Sequence, residues 1–348
     1  MNICFANSNE GAHLYQRLGL IKALNRSGHN AFIWDSRRTP VFDLFDTNDI
    51  DVFIGTTFEI TPGLIQCLKE KPCKVVMKAG DYGEACSKYD LTKYEILVAS
   101  ESELSKVRSL YDAGLKIDVI GCHYIPEKIQ ETHGYWNKFG CKVASLGLGC
   151  DVYDYHPSNP LPMFECDLSI VGGLWKYKQK TAEQYVFPLL DVKNNYRVKI
   201  FGNQSWPSEF YLGNIETRYV KHLFASTKIG LHFGEPHTSL GYEISERPMK
   251  LMSSKCFCLS DYNESLSILF TNNELYMAKT PQEYHEMVDY FLKNEDERRG
   301  YIERGYETVI DKHTYFHRAA ELLSYLGMDI EAKQIMDTYD VVKKELAL

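Results

Sequence analysis

Short apolar runs alternate along the chain with longer segments in which apolar residues recur every three or four positions. The first pattern is typical of buried strands and the second of amphipathic helices. Strands that alternate with helices predict a parallel sheet with helices on its faces. In the first half of the chain, the pattern predicts strands at residues 2–6, 30–34, 51–55, 74–79, 95–99 and 117–121.

The helix expected between the first two strands has a well-defined apolar face. Its apolar residues lie three or four positions apart, and Gly28 is placed to end the helix. The face consists of Leu14, Leu18, Ile21 and Leu24. This segment therefore completes one strand–helix–strand unit.

The second half repeats the alternation. It predicts strands at 167–171, 197–201, 229–233 and 257–260, helices around 182–190, 219–225 and 248–254, and further helices that begin near 281, 296 and 314. A proline-rich stretch at 155–162 separates the halves, since it can continue neither a helix nor a central strand. The pattern predicts an α/β protein of two doubly wound, Rossmann-like domains that face one another across a cleft. The predicted limits are 1–157, 158–327 and a helical tail at 328–348.

Length and composition agree with that division. A chain of 348 residues fits two domains, and 44% hydrophobic with 25% charged residues is typical of a folded protein. The N-terminus lacks the features of a secretory signal, and no apolar stretch approaches the roughly 20 residues that a membrane span needs. We therefore expect no membrane span and a cytoplasmic location.

Ten scattered cysteines, most of them inside apolar runs, favour buried, reduced thiols. Cys256 and Cys258 form the only close pair and lack a second pair, so no zinc site is predicted. Asp49 and Asp51 fit the Asp-x-Asp pattern of metal-dependent transferases, but they lead into a predicted strand. We predict no bound metal.

The formal net charge is -8, from 39 basic and 47 acidic residues. This balance argues against a protein that coats DNA or anionic membrane broadly, because both need an excess of positive charge. This net charge does not argue against a local basic groove.

Particular segments of the second half carry a family resemblance. They are the hinge at 148–157, the strand and glycine turn at 166–173, the stretch at 245–262, and the pieces at 281–283, 296–299 and 313–320. The hinge and the turn resemble those of GT-B glycosyltransferases. The later segments are similar to the spore-maturation-protein-like branch of group 1 (glycosyltransferase family 4-like) enzymes. The resemblance is specific over about residues 145–327 and architectural before them.

This resemblance implies an enzyme that moves a sugar from a nucleotide-sugar donor to an acceptor hydroxyl, without a metal and with retention. The donor would be a UDP- or GDP-linked co-substrate held by the C-terminal domain, and no other cofactor is implied. The N-terminal domain would take the acceptor. Whether that acceptor is a glycan, a small molecule, a protein or a nucleobase stays open.

Two positions depart from the family pattern. Related enzymes carry a glutamate where Lys250 stands, and this glutamate usually holds the donor ribose; they carry a glycine where Lys255 stands. Glu235 and Glu243 form a glutamate pair seven residues apart, but it lies about seven residues early relative to the helix.

The departing diphosphate suggests which residues of the second half bind the donor. Negative charge grows on the phosphates as the glycosidic bond breaks, and without a metal it must be met by cations and helix N-termini. Gly172 and Gly173 follow a predicted strand and permit close approach of the backbone, with Lys176 and Lys178 within reach. The alternative is a solvated lysine pair beside a tight turn.

Arg247 and Lys250 lie three positions apart near a predicted helix start, so both can point to one face as phosphate or ribose ligands. Alternatively, Glu246 or Glu243 neutralises Arg247 in a surface pair. Glu243 is also a candidate for the ribose hydroxyls.

In the first half, candidates come from loops at the carboxyl edge of the predicted sheet, where ligands of open α/β folds bind. The loop at 7–11, which ends in Gly11, is expected to face the cleft. Asp81 follows the strand predicted at 74–79 and is either an acceptor-side base or a turn aspartate. His123 either contacts sugar or acts as a base, or it is structural. The catalytic candidates are therefore Asp81, His123 and Arg247.

Other functions remain open. The departures at Lys250 and Lys255 allow a GT-B-like protein that binds nucleotide sugar without turnover, and a basic cleft would allow a DNA-base (hydroxymethylpyrimidine) glycosyltransferase. A dinucleotide oxidoreductase is disfavoured, because neither half carries Gly-x-Gly-x-x-Gly after its first strand.

Overall fold

The computed structural model describes residues 1–6, 12–79, 101–234 and 243–348. The chain forms two compact units, one of residues 1–148 with 315–347 and one of residues 149–314. Each unit contains a parallel β-sheet with helices.

The first unit is built on six parallel strands in the order β2-β1-β3-β4-β5-β6. Most of their side chains are buried, as expected for a sheet covered on both faces. The strands are β1 Asn2–Ala6, β2 Asn30–Trp34, β3 Val52–Thr56, β4 Lys74–Lys78, β5 Val119–Cys122 and β6 Lys142–Ser145. The helices of this half are α1 Ala12–Arg26, α2 Val41–Thr47, α3 Pro62–Glu70, α4 Glu101–Asp112 and α5 Pro126–His133.

The predicted strands of this half are confirmed wherever the structure describes them, with ends shifted by one or two residues. The strand predicted at 95–99 lies outside the described residues. Strand β6 was not predicted, because only two of its four residues, Val143 and Ala144, are apolar. Gly28 follows α1 with φ +85°, a conformation that favours glycine and ends the helix as predicted.

The second unit contains a five-stranded parallel sheet in the order β11-β10-β9-β7-β8. Apolar side chains from the strands pack with Tyr284, Val288 and Phe291 in one buried cluster. The strands are β7 Cys166–Val171, β8 Val198–Phe201, β9 Thr227–Leu231, β10 Cys258–Asp261 and β11 Tyr276–Ala278. The helices are α6 Gln179–Tyr185, α7 Thr217–Ala225, α8 Glu246–Ser253, α9 Glu264–Leu269, α10 Pro281–Lys293 and α11 Glu295–Lys312.

Two features of this sheet differ from the prediction. The single helix expected around 182–190 ends at Tyr185, and a separate 3-10 turn, Phe187–Leu190, follows. Pro188 explains the break, because proline cannot donate the hydrogen bond that continues a helix. The edge strand β11 was not predicted, since its three residues carry too little signal.

The C-terminal segment belongs to the first unit. Helices α12 Tyr315–Tyr325 and α13 Asp329–Leu346 pack against each other, and the rings of Phe316 and Tyr339 stack with centroids 4.9 Å apart. The Arg26 side chain, at the end of α1, pairs with Glu345. The units therefore divide at 148/149 and 314/315, whereas the sequence suggested 157/158 and 327/328. Local patterns mark helix ends, but they do not reveal which unit a terminal helix joins.

In the described part of the chain, no helix combines the length and the apolar character that crossing a membrane requires. Nine cysteines of that part are free, and eight of these are buried. Buried, unpaired thiols are what the scattered spacing predicted.

Lys255, one of the two departures from the family pattern, ends α8 in a left-handed conformation with φ 53°. Its N–H donates to the carbonyl of Met252, and the N–H of Cys256 donates to that of Leu251, both at 3.0 Å. These two bonds form a Schellman motif, whose left-handed position is usually glycine. The glycine of the family pattern thus corresponds to a position whose left-handed backbone is strained for any residue with a side chain.

The Lys255 side chain contributes contacts of its own. Its Nζ lies 2.6 Å from Glu303 Oε2 and 4.7 Å from the ring centroid of Tyr306. Exposed contacts of this kind contribute about 0–1 kcal/mol, whereas a left-handed non-glycine residue costs about 1–2 kcal/mol.

We therefore expect Lys255→Gly to be more stable than Lys255→Ala by about 1 kcal/mol, because both lose the contacts and only glycine loses the strain. Chemical denaturation of the two variants measures this difference. At an ordinary helical position alanine is the more stable of the two, so the opposite order would show that the backbone at 255 is not strained.

Candidate functional site

In the sheet of the second unit, the strand order reverses at β7. This strand lies between β8 and β9, so successive connections run to opposite sides of it. Ligands of open α/β sheets bind at the carboxyl ends of the strands where the order reverses. Gly172 and Gly173 directly follow β7 and therefore stand at that position.

The turn after β7 is packed against the turn after β8. A Cβ added to Gly202 would lie 2.5 Å from the carbonyl carbon of Gly172, and one added to Gly173 would lie 2.7 Å from Asn203 Oδ1. The indole of Trp206 donates to the carbonyl of Gly172 at 2.9 Å. Close packing of the two backbones thus depends on glycine. Gly202 was not predicted, although a glycine directly after an apolar strand was its signal.

Arg247 lies against this turn. A Cβ added to Gly172 would lie 2.6 Å from its Nη2 atom, and the guanidinium carbon lies 5.9 Å from the ring centroid of Phe233. Arg247 is the second residue of α8, where the helix dipole adds positive potential. The structure therefore brings together two predicted donor ligands, Gly172 and Arg247. A planar guanidinium is suited to bidentate phosphate binding.

Asp261 belongs to the same region and was not predicted. It is the last residue of β10, is 5% exposed, and accepts the Gly234 N–H with both carboxylate oxygens, at 2.9 and 3.0 Å. Burial raises its pKa to about 6, against the opposing effects of the Gly234 hydrogen bond and the Arg247 charge. An aspartate directly after an apolar strand was the signal that could have identified it.

The backbone after β9 is held from two sides. Asp261 binds Gly234, and the buried Tyr284 hydroxyl donates to the carbonyl of His232 at 2.9 Å. The Phe233 ring between these two residues faces Arg247. These contacts determine where the chain enters the segment that leads to α8.

Lys250 has different neighbours from Arg247. Its Nζ lies 2.8 Å from Glu246 Oε2 and 4.9 Å from the ring centroid of Tyr155. Burial lowers the pKa of Lys250, but the Glu246 carboxylate and its other neighbours more than offset this effect and raise the pKa above its ordinary value. Glu246 is therefore the partner of Lys250 within α8. The sequence had suggested Glu246 as a partner of Arg247.

The two lysines after the glycine turn are separated by the local structure. They form the ends of a 3-10 helix, Lys176–Lys178, in which Lys176 is exposed and Lys178 is buried. The alternative of two solvated lysines therefore fails for Lys178. Glu243 is half-buried and lies three residues before α8.

In the first unit, His123 directly follows β5 and is half-buried. Its Nδ1 lies 2.7 Å from the carbonyl of Leu146. Because a carbonyl only accepts, Nδ1 carries the proton, and Nε2 of the neutral ring keeps the lone pair that a base needs. Asp81, Gly11 and the rest of the loop at 7–11 lie outside the described residues.

The described residues contain no group of three or more His, Cys, Asp or Glu side chains that could hold a metal ion.

Comparison with families of known proteins gives a match that lies mainly in the second unit. Residues 180–324 match the family model described as glycosyl transferase-like. No curated protein matches the chain. Since the match covers the helix that carries Arg247, it supports a glycosyltransferase-like domain in the second unit.

Solved structures of similar fold cover nearly the whole chain. Sucrose-phosphate synthase from Thermosynechococcus elongatus is 11% identical, with a TM-score of 0.62 over 95% of this chain and 99% of that one. HepE from Anabaena in complex with UDP is 10% identical, with a TM-score of 0.63 over 94% and 100%. The DNA-modifying enzyme β-glucosyltransferase is 14% identical, with a TM-score of 0.57 over 100% of both chains.

These similarities and the two parallel sheets establish the GT-B fold of two Rossmann-like domains. The family match adds that residues 180–324 are glycosyl transferase-like in sequence.

Replacing Asp261 by asparagine is expected to change how stability depends on pH. The folded-state pKa of about 6 lies above the ordinary value of 3.8, so the folded state binds this proton more tightly than the unfolded state. The resulting stability is fully present below pH 3.8 and is lost as the pH rises through 6. Two pKa units correspond to about 3 kcal/mol.

Chemical denaturation at several pH values between 4 and 7 measures this effect. The free energy of unfolding of Asp261→Asn should rise relative to the unmodified protein across that interval. A difference that stays constant with pH would show that Asp261 does not titrate as described.

Lys250→Ala is expected to lower stability by about 2–4 kcal/mol, because the Glu246 side chain, which is 12% exposed, would lose the Lys250 ammonium that lies 2.8 Å away. The double variant Glu246→Gln with Lys250→Met removes both charges and should recover most of this loss. Thermal or chemical denaturation measures both. A double variant as unstable as the single one would show that packing, not the unpaired charge, causes the loss.

Proposed function

We propose that the protein transfers a sugar from a nucleotide-sugar donor to an acceptor hydroxyl, with the donor diphosphate bound at the turn after β7. The observation that carries this proposal is the Arg247 guanidinium beside Gly172, at the carboxyl end of the strand where the sheet order reverses. Arg247 lies in the segment that matches the glycosyl transferase-like model. Lys250 stands where related enzymes carry a glutamate, but it takes no part in the contact between Arg247 and Gly172.

The chemistry requires a cation at this position. When the anomeric bond breaks, its electron pair moves onto the phosphate oxygen of the leaving diphosphate. In the proposed mechanism, Arg247 and the N-terminus of α8 stabilise that charge, and a fixed guanidinium needs no reorganisation during the step. The acceptor hydroxyl loses its proton to a base, for which His123 Nε2 and Asp81 are the candidates.

The finer assignment extends this proposal. HepE has been solved with UDP and with UDP-glucose, and T4 phage BGT with its UDP-glucose substrate. These neighbours favour UDP over GDP as the donor nucleotide. Membership of the spore-maturation-protein-like branch, retention at the anomeric carbon and independence of metal follow from the family resemblance. Buried, unpaired thiols are typical of reducing compartments and support the proposed cytoplasmic location.

A second candidate acceptor is a DNA base. The structural match to the DNA-modifying β-glucosyltransferase covers the full length of both chains, but at 14% identity it is evidence for the fold only. The net charge of -8 opposes this candidate, because DNA binding depends on neutralised phosphates. DNA affinity that falls steeply with salt concentration would favour it.

Arg247→Ala is expected to reduce the stabilisation that the donor provides. A ligand at about 100 times its dissociation constant raises the free energy of unfolding by roughly 2.7 kcal/mol, so thermal shifts with UDP, GDP and their sugar conjugates identify the nucleotide. We expect the UDP shift to persist in EDTA and the dissociation constant of Arg247→Ala to rise at least tenfold. Arg218→Ala is the matched control, since Arg218 lies in the same unit and pairs with Glu216 at 2.9 Å.

Equal loss in both arginine variants would indicate a general charge effect and refute the assignment of Arg247. Product release from a bound UDP-sugar, followed by NMR of the anomeric proton, then decides turnover and stereochemistry. Binding without hydrolysis or transfer would favour a GT-B-like binding protein.

A further inference from the structure

A groove with a volume of about 810 Å³ lies along the edge strand β11. It is lined by the segment after α9, by β11 and the start of α10, and by Tyr301 of α11. Its volume is within the range of about 300–1,000 Å³ that small-molecule sites occupy. None of its lining residues is among the candidate donor ligands.

Two tyrosines that line the groove, Tyr276 and Tyr301, belong to a packed aromatic cluster. The rings of Tyr276 and Tyr301 meet edge to face with centroids 6.1 Å apart, and both pack against Phe291, at 5.3 and 5.6 Å. The Tyr276 hydroxyl donates to Glu283 Oε1 at 2.9 Å. A ligand that stacks here meets rings that are already ordered, which lowers the entropic cost of binding.

A third tyrosine, Tyr262, also lines the groove. Tyr262 is 48% exposed, and its N–H donates to the carbonyl of Ala278 at 2.8 Å, which fixes its backbone to β11. A large, half-exposed aromatic ring beside a groove offers contact area to a ligand at little loss of conformational entropy.

Part of the lining is polar. Asn272 and Asn273 are exposed on a turn that is fixed by hydrogen bonds from Thr271 to Glu274, at 2.7 and 2.9 Å. Arg304 Nε donates to the carbonyl of Asn273 at 2.7 Å. Each amide side chain can both donate and accept, which matches the paired capacity of a sugar hydroxyl.

The charges of the groove select among ligands. One lysine, Lys279, and one glutamate, Glu283, line it. Glu283 already accepts from the Lys279 N–H at 2.8 Å and from the Tyr276 hydroxyl. A nearly neutral lining does not attract a polyphosphate or a nucleic acid, whose binding requires several cations.

We propose that this groove binds a neutral oligosaccharide, the extended part of a glycan acceptor whose end receives the transferred sugar. Aromatic faces for the sugar rings and amides for the hydroxyls are both present. Tyr262 directly follows Asp261, whose carboxylate holds Gly234 beside the donor ligands, so β10 connects the groove to the candidate donor site. The acceptor role rests on the proposed function, whereas saccharide binding does not.

The test is binding of the full chain to an array of neutral oligosaccharides of two to six hexose units, with saturating UDP present. We expect Tyr262→Ala, and separately the double variant Asn272→Ala with Asn273→Ala, to weaken oligosaccharide binding at least tenfold. Tyr262→Phe keeps the ring and should bind within threefold of the unmodified protein. Tyr219→Ala is the control, because Tyr219 is a 37% exposed tyrosine of the same unit that lies outside the groove.

UDP binding, measured in parallel, separates this proposal from the proposed function. Oligosaccharide binding that depends on Tyr262 supports the groove even if UDP does not bind, in which case the proposed function fails alone. No binding to any array member, or binding that Tyr262→Ala leaves unchanged, overturns the groove while UDP binding can persist. Binding of single-stranded DNA or RNA that Tyr262→Ala abolishes, in place of oligosaccharide, also overturns it.

Discussion

The close packing of the turns after β7 and β8 is the constraint on which the candidate site depends. Gly172 and Gly173 meet Gly202 and its neighbour at distances that leave no room for a Cβ. This contact brings two strand ends together at the point where the sheet order reverses and leaves the side of Gly172 open to the Arg247 guanidinium. A larger residue at Gly172 would move the arginine, the backbone or both, so the position of the charge is determined by the packing of the main chain.

Buried charges in this region serve different purposes. The Glu246–Lys250 pair lies within one helix and neutralises itself, and the aromatic ring of Tyr155 covers the ammonium. Asp261 instead holds the backbone amide of Gly234 and carries a raised pKa because it is buried. Arg247 lies at the start of its helix, where the dipole adds to its charge. A family glutamate at 250 would remove the internal pair and leave Glu246 for another partner, so the lysine changes more than one contact.

The last two helices belong to the first unit, although they follow the second unit in the chain. The pairing of Arg26 with Glu345 and the hydrogen bond from Gln334 to the carbonyl of Ser27, at 2.9 Å, attach them there. A single chain that leaves one sheet, builds another and returns links the two units at two points, 148/149 and 314/315.

The amino-acid sequence by itself determined the fold class, because the two alternating patterns each extend over a hundred residues or more and repeat. It also singled out Gly172 and Arg247 as candidates, which the structure brings side by side, since a glycine after a strand and a cation at a helix start have local signals. Strand β11 has only three residues and β6 only two apolar ones, so neither shows a clear pattern, and the pairing of Lys250 with Glu246 competed with equally spaced alternatives. Only the tertiary structure decided that Gly202 must be glycine, that Asp261 binds Gly234, and that the terminal helices belong to the first unit. These three depend on contacts between segments far apart in the chain, which no local pattern encodes.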